Sequence, residues 1–243
     1  MDIIRSKNPF ISQVFISLLR ISLMFLFMVT AVVIAGFAFP YFMPNLTAVL
    51  LKADSTLFWY LSRGSAIVGF ILLWLSTVMG LLITTRFGKT WPGLKTSNES
   101  HQYISLLGLF FTGFHGIMLL GDTYIKATFS QVLIPFSFIN FRPVFVGIGQ
   151  LAFYMWVILI ISFYVRKIIG RKLWRGLHYI GFVAFFAGMA HGITSGSDSS
   201  LPWMQMIYWF CAASVLFLTI YRILMHSNPA KQTPVVEKKL INA

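Results

Sequence analysis

Six stretches of about twenty or more residues in this sequence carry almost no charge, and that feature excludes most folds. They run from about Val14 to Phe39, Phe58 to Thr85, Ser100 to Gly121, Phe145 to Val165, Leu173 to Thr194 and Pro202 to Leu224. A helix of about 20 apolar residues spans the hydrocarbon of a bilayer, and it satisfies its own backbone hydrogen bonds where no water can do so. With 58% hydrophobic and 10% charged residues, the 243-residue chain lies outside the range of a soluble globular domain. The expected fold is therefore all-α, a polytopic membrane protein built as a six-transmembrane-helix bundle over residues 14–225. An inner N-terminal segment, 1–13, precedes it. A tail, 226–243, with Pro229, Pro234 and Glu237-Lys238-Lys239, has too few apolar residues to fold and is expected to be disordered.

The first run follows Arg5 and Lys7, as a signal peptide would, but its ~25 residues exceed the usual ~7–15-residue apolar region of such a leader. It reads as a retained helix, with Arg20 near enough to its end to snorkel. A net charge of +13 invites a nucleic-acid reading, yet the cations sit in short clusters between apolar runs rather than on a water-facing surface. Topology explains them. Both tails and the two loops on their side hold Arg5, Lys7, Arg86, Lys89, Lys95, Arg166, Lys167, Arg171, Lys172, Arg175, Arg222, Lys231, Lys238 and Lys239; the other side holds Lys52, Lys126 and Arg142, with Arg63 at a helix edge. The positive-inside rule then places both termini in the cytoplasm, in an integral, multi-pass cell (inner) membrane protein. Asp122 to Val144, with Pro135, Pro143 and the apolar Val132-Leu133-Ile134, is the only long outer loop and has the composition of a segment lying on the interface.

Four of the five histidines lie in the third and fifth runs, as His101 and His115, fourteen positions apart, and His178 and His191, thirteen apart. Imidazole is costly in hydrocarbon unless bonded, and it is a good axial donor to haem iron. Both runs follow inner loops, so the two helices are parallel: His101 and His178 fall near the inner face, His115 and His191 near the outer one. At 1.5 Å per residue the levels are about 20 Å apart, room for two stacked haems between helices three and five. Fourteen residues bring a straight helix back to within about 40° of its start, whereas thirteen miss by about 140°. Helix five must therefore bend or overwind, and Gly181 and Gly188 are the expected places. Gly188, Gly192 and Gly196 recur at intervals of four, which fits either a helix-packing seam or a face for a flat macrocycle. Arg63 and Arg142 at the outer level, and Arg86, Arg175 and the other inner-loop cations at the inner, are candidates to pair with haem propionates. Trp59, Trp91, Trp174 and Trp203 fit the aromatic belt at helix ends. The single cysteine, Cys211, excludes an intrachain disulfide or a cysteine-based metal site and is expected in the core. His226 lies beyond the last run and receives no role.

At these residues the sequence resembles the ferric reductase-like transmembrane domain shared by ferric reductases, NADPH oxidases and the membrane subunit of a bacterial methionine sulfoxide reductase system. The matching features are the spacing of His101 and His115, that of His178 and His191, and the six-run layout with basic inner loops, over about Phe58 to Leu224. Arg63-Gly64, Trp174-Arg175-Gly176-Leu177-His178 and His191-Gly192 are weaker echoes. The resemblance implies that His101 and His178 ligate an inner b-type haem and His115 and His191 an outer one. It implies electrons passing from inside to outside. Larger family members carry a fused flavin and nicotinamide module; only 18 residues follow Met225, and no G-x-G-x-x-G stands at a strand-to-helix turn. No flavin or NAD(P) module is therefore expected in this chain, and the donor is expected to be a separate flavoprotein or quinol.

The leading expectation is an oxidoreductase component, a cytochrome b-like conduit whose outer acceptor is ferric iron, oxygen or a partner protein. A second is a membrane haem subunit of a two-component reductase, serving one dedicated outer partner such as a methionine sulfoxide reductase. A third, of a different class, is a haem-free proton or ion transporter using the histidines as a relay; the absence of any carboxylate inside the six runs weighs against it.

Overall fold

A computed structural model describes residues 56–84, 93–139 and 141–226, with isolated positions 19, 23, 26 and 30 before them. The first apolar run, both tails, and Arg86, Lys89 and Trp91 lie outside the described residues, apart from those four positions. Among the described residues the chain is helical, with no strand.

In chain order the helices are α1 (Thr56–Ile83), α2 (Leu94–Met118), α3 (Phe129–Leu133), α4 (Pro143–Tyr164), α5 (Arg166–Ile169), α6 (Arg171–His178), α7 (Ile180–Ser195) and α8 (Pro202–His226). A 3₁₀ turn, Leu119–Gly121, tightens the end of α2. Breaks follow local chemistry. Gly93 and Gly170 take φ values of 99° and 81° just before α2 and α6, a region that costs glycine nothing. Proline opens α4 and α8, where its missing N–H is no loss. Five segments are long and apolar enough to cross a membrane: Leu57–Ile83, Leu94–Gly121, Pro143–Tyr164, Arg171–Ser195 and Pro202–Leu224. They match the second to sixth apolar runs. α2 begins six residues earlier than the run it contains, because its polar first turns, Leu94–Glu99, are helical but invisible to hydropathy.

The extensive seams are α1 along α2 and α4 along α7, with α8 and α7 laid against α1. α2 shares no comparable seam with α6 or α7, the other elements that carry membrane histidines. The core where these helices meet is built from Leu73, Leu81, Trp156, Phe185, Cys211 and Val215. Cys211 is buried there as a packing residue. Large apolar side chains elsewhere point outward, Trp209, Phe210 and Phe217 on α8 among them, as a lipid solvent allows.

The glycines singled out for their spacing serve helix packing. A Cβ at Gly188 would lie 3.3 Å from Leu73, one at Gly192 2.8 Å from the Tyr208 hydroxyl, and Gly108 receives the Trp156 indole. The four-residue glycine repeat of α7 is thus a seam toward α1 and α8, and of the two readings open for it the packing one describes these contacts.

The loop between α2 and α4 is fastened rather than loose. Thr128 and Gln131 form a capping box on α3, and Gln150 donates to the Gln131 and Val132 carbonyls at 2.7 and 2.8 Å. Its outward side is apolar, with Tyr124, Phe129 and Ile139 exposed.

Candidate functional site

The four membrane histidines come together as two pairs. His101 of α2 and His178 of α6 have ring centroids 6.1 Å apart with planes at 75°. His115 of α2 and His191 of α7 have theirs 6.4 Å apart with planes at 62°. The partners are those expected from matched levels, and the pairing requires α2 to run parallel to α6 and α7.

Neighbouring helices hold three of the four rings through Nδ1. His115 Nδ1 lies 2.9 Å from the Ser62 carbonyl and 2.9 Å from the Ser62 hydroxyl, which itself donates to the His115 carbonyl at 3.2 Å. His191 Nδ1 lies 2.9 Å from the Phe145 carbonyl. A carbonyl only accepts, so Nδ1 carries the proton in both rings and Nε2 keeps its lone pair. His101 Nδ1 is 3.4 Å from the Ser76 hydroxyl, which is bridged at 2.6 Å to Ser105, and Ser105 donates to the His101 carbonyl at 2.6 Å. Ser62 and Ser76 are fourteen positions apart on α1, the same interval as His115 and His101 on the antiparallel α2. That matched interval is the signal that could have found them in the sequence.

Gly149 makes room for the His191 ring, and Gly80 lies at ordinary contact distance from the His101 ring. A Cβ at Gly149 would fall 2.5 Å from Cγ and 2.6 Å from Nδ1 of His191, and one at Gly80 would meet Cε1 of His101 at 3.5 Å. Each stands four positions after the residue that bonds the ring: Phe145 before Gly149, Ser76 before Gly80. In a helix the side chain at i+4 lies over the group at i, so glycine there leaves it open from the side.

The helix that carries His178 and His191 breaks at Tyr179, two residues before the first of the expected glycines, and the break supplies part of the rotation that a thirteen-residue interval needs. The Tyr179 N–H bonds to the Gly176 carbonyl at 3.2 Å, and the Phe182 N–H to the Tyr179 carbonyl at 3.1 Å. These are i to i+3 bonds, and each residue so wound advances about 120° rather than 100°. The extra rotation has the sign that thirteen residues need. Gly188 lies within unbroken α7.

Trp174, assigned to the belt from sequence, lies beside His178, with ring centroids 5.3 Å apart. The candidate arginines differ. Arg63 is bound to Asp198, Nε to Oδ2 at 3.0 Å and Nη2 to Oδ1, and lies near the rings of Trp59 and Tyr60. Arg142 takes a left-handed backbone, with its guanidinium over Phe141, beside a crevice of about 340 Å³ that includes Phe145 and Thr194. Arg175 is exposed on α6.

Comparison with family models, curated proteins and solved structures finds no match for this chain. What the site can do therefore rests on its own chemistry. Among the described residues, no three or more His, Cys, Asp or Glu side chains gather into a group able to hold a metal ion alone. Each pair offers two imidazole donors, which suits an ion whose remaining positions are filled by something else.

Proposed function

We propose that this chain is a transmembrane electron conduit of the ferric reductase-like kind. In this reading His101 and His178 hold one b-type haem, and His115 and His191 hold a second. The observation that carries it is the separation of the ring pairs. Two imidazoles bound on opposite sides of one metal ion, at about 2.0–2.1 Å each and with about 1.2 Å from nitrogen to ring centre, have centroids about 6.5 Å apart. The pairs stand at 6.1 and 6.4 Å. The macrocycle supplies the four remaining donors, which answers the lack of a larger side-chain cluster.

Haem, when bound, supplies reversible one-electron chemistry. The chain's own residues fix the rest. The Ser62 and Phe145 carbonyls hold the tautomer that presents Nε2, and a hydrogen bond at Nδ1 raises the basicity of a ligating imidazole. His101 with His178, and His115 with His191, would hold the two haems, and the acceptor would then receive its electron without binding the metal. The assignment includes six spans with both termini in the cytoplasm of a cell inner membrane, supported by the distribution of Lys and Arg. A flavoprotein or quinol serves as donor at the inner face; ferric iron, oxygen or a partner protein accepts at the outer one.

A dedicated outer partner, as for the haem subunit of a methionine sulfoxide reductase system, is favoured by one feature. The fastened outer loop carries exposed apolar side chains, Tyr124, Phe129 and Ile139 among them. Removing α3 should then abolish reduction of that partner and spare small-molecule ferric reduction.

The first test is a reduced-minus-oxidised spectrum of the purified protein with haem quantified per chain. Two b-type haems are expected. His115→Ala and His191→Ala should each remove one and leave the other. A colourless protein, purified from cells supplied with haem, overturns the reading.

A further inference from the structure

At the end of the bundle that carries His101 and His178, a cavity of about 630 Å³ opens between the polar first turns of α2, the end of α4, α5 and α6. Its lining includes four cations, Lys95, Arg166, Lys167 and Arg171, against one carboxylate, Glu99, together with Trp174. The size is that of a small-molecule site. Arg166 is held in place: Nη1 donates to the Phe163 carbonyl at 2.8 Å and the guanidinium lies 3.9 Å above the Phe163 ring. A cavity with an excess of donors and of positive charge calls for a ligand with several anionic oxygens, and guanidinium groups match phosphate in particular.

The cavity's depth chooses among phosphates. Its lining lies within residues 95–102, 163–167 and 171–174, at the ends of the candidate spans Leu94–Gly121, Pro143–Tyr164 and Arg171–Ser195. Those ends are where headgroups lie, and basic pockets between membrane helices on that level recognise anionic lipids. We propose that this cavity is a binding site for the phosphate headgroup of an anionic phospholipid, with Arg166 and Arg171 on the phosphate oxygens and Lys95 beside them. Trp174 also lies 5.3 Å from the His178 ring, so the cavity adjoins the His101–His178 pair.

The test uses the full chain in detergent, followed by native mass spectrometry and thermal unfolding with phosphatidylglycerol, phosphatidylcholine or inorganic phosphate added. Phosphatidylglycerol is expected to remain as an adduct and raise the melting temperature, while phosphatidylcholine and inorganic phosphate do neither. The Arg166→Gln/Arg171→Gln variant should lose the adduct and the shift. Lys95→Gln, which leaves both arginines in place, should weaken both, so a folding failure of the double variant does not leave the question open. Arg142→Gln, at the other end of the bundle, should change neither. Equal retention of phosphatidylcholine, or an adduct that persists in the double variant, overturns the proposal. Binding of inorganic phosphate with the same shift would assign the cavity to a soluble phosphate and overturn the lipid.

Discussion

His191 on α7 donates its Nδ1 proton to the Phe145 carbonyl in the first turn of α4, at 2.9 Å. That carbonyl already accepts from the backbone four residues on, at Gly149, as any helical carbonyl does. Its second lone pair can take the imidazole only because position 149 has no side chain. The orientation of a histidine is thus determined on a different helix, by a residue with no chemistry of its own.

Gly149→Ala should therefore act on His191. The added methyl would lie 2.5 to 2.9 Å from three ring atoms, so the ring or α4 must move. Overpacking of this kind costs about 1–3 kcal/mol. If the pairs hold haem as proposed, haem content should fall from two to one per chain, with the loss matching His191→Ala in the spectrum. Full retention of both haems at unchanged melting temperature would show that the ring position is not constrained there.

Ser62→Ala should be milder. The substitution deletes the hydroxyl that bridges Nδ1 and the backbone oxygen of His115, but leaves the Ser62 carbonyl as acceptor. A net loss of about 0.5–1.5 kcal/mol is the usual effect of one such bond. Thermal unfolding should register it while haem stoichiometry stays at two; a loss of haem equal to that of His115→Ala would mean that the hydroxyl, not the carbonyl, holds the ring.

Much of this site was legible because period and charge are one-dimensional signals. The spacing of His101 and His115 and the positive-inside count were enough to anticipate which histidines meet, and the apolar runs marked five of the spans to within a few residues. The rest depends on neighbours that only folding brings together. Nothing local marks Gly149 or Gly80 as different from the seam glycines of α7, and a main-chain acceptor such as the Phe145 carbonyl has no signature in the sequence. The break at Tyr179 escaped for a related reason: tyrosine is no helix breaker, and the overwinding comes from its hydrogen bonds to Gly176 and Phe182. Arg63 was picked out as a cation at a helix edge, but Asp198, 135 positions away, is its partner in the structure.

That ion pair ties the start of α1 to the turn after α7. Asp198 is 9% exposed and the Arg63 side chain 33%. Removing the arginine strands a largely buried carboxylate, so Arg63→Ala should destabilise by about 2–4 kcal/mol, somewhat below the range for a fully buried pair. The double variant Arg63→Ala/Asp198→Asn should recover part of that loss, giving a coupling energy above 1 kcal/mol in a thermal double-mutant cycle. Additive effects would mean that the pair contributes nothing. Haem content separates a second role: if Arg63 also serves the outer site, recovery of stability in the double variant will not restore its haem.

Phe185 lies between the two histidine levels, seven residues beyond His178 and six before His191, and its side chain is 0% exposed. It stacks on Phe70 with centroids 6.1 Å apart and packs in the cluster that contains Leu73 and Trp156. In a bilayer, helix association depends on such contacts rather than on exclusion of water, because lipid tails are as apolar as the core. Phe185→Ala should therefore cost less through transfer than in a soluble protein but as much through the void, about 3 kcal/mol in all. No histidine ring stacks on Phe185, so both pairs should persist in the variant. Unfolding in detergent, followed beside the absorption spectrum, should show a lower melting temperature with two haems per chain. A variant of unchanged stability that has lost one haem would instead make Phe185 a wall of that site.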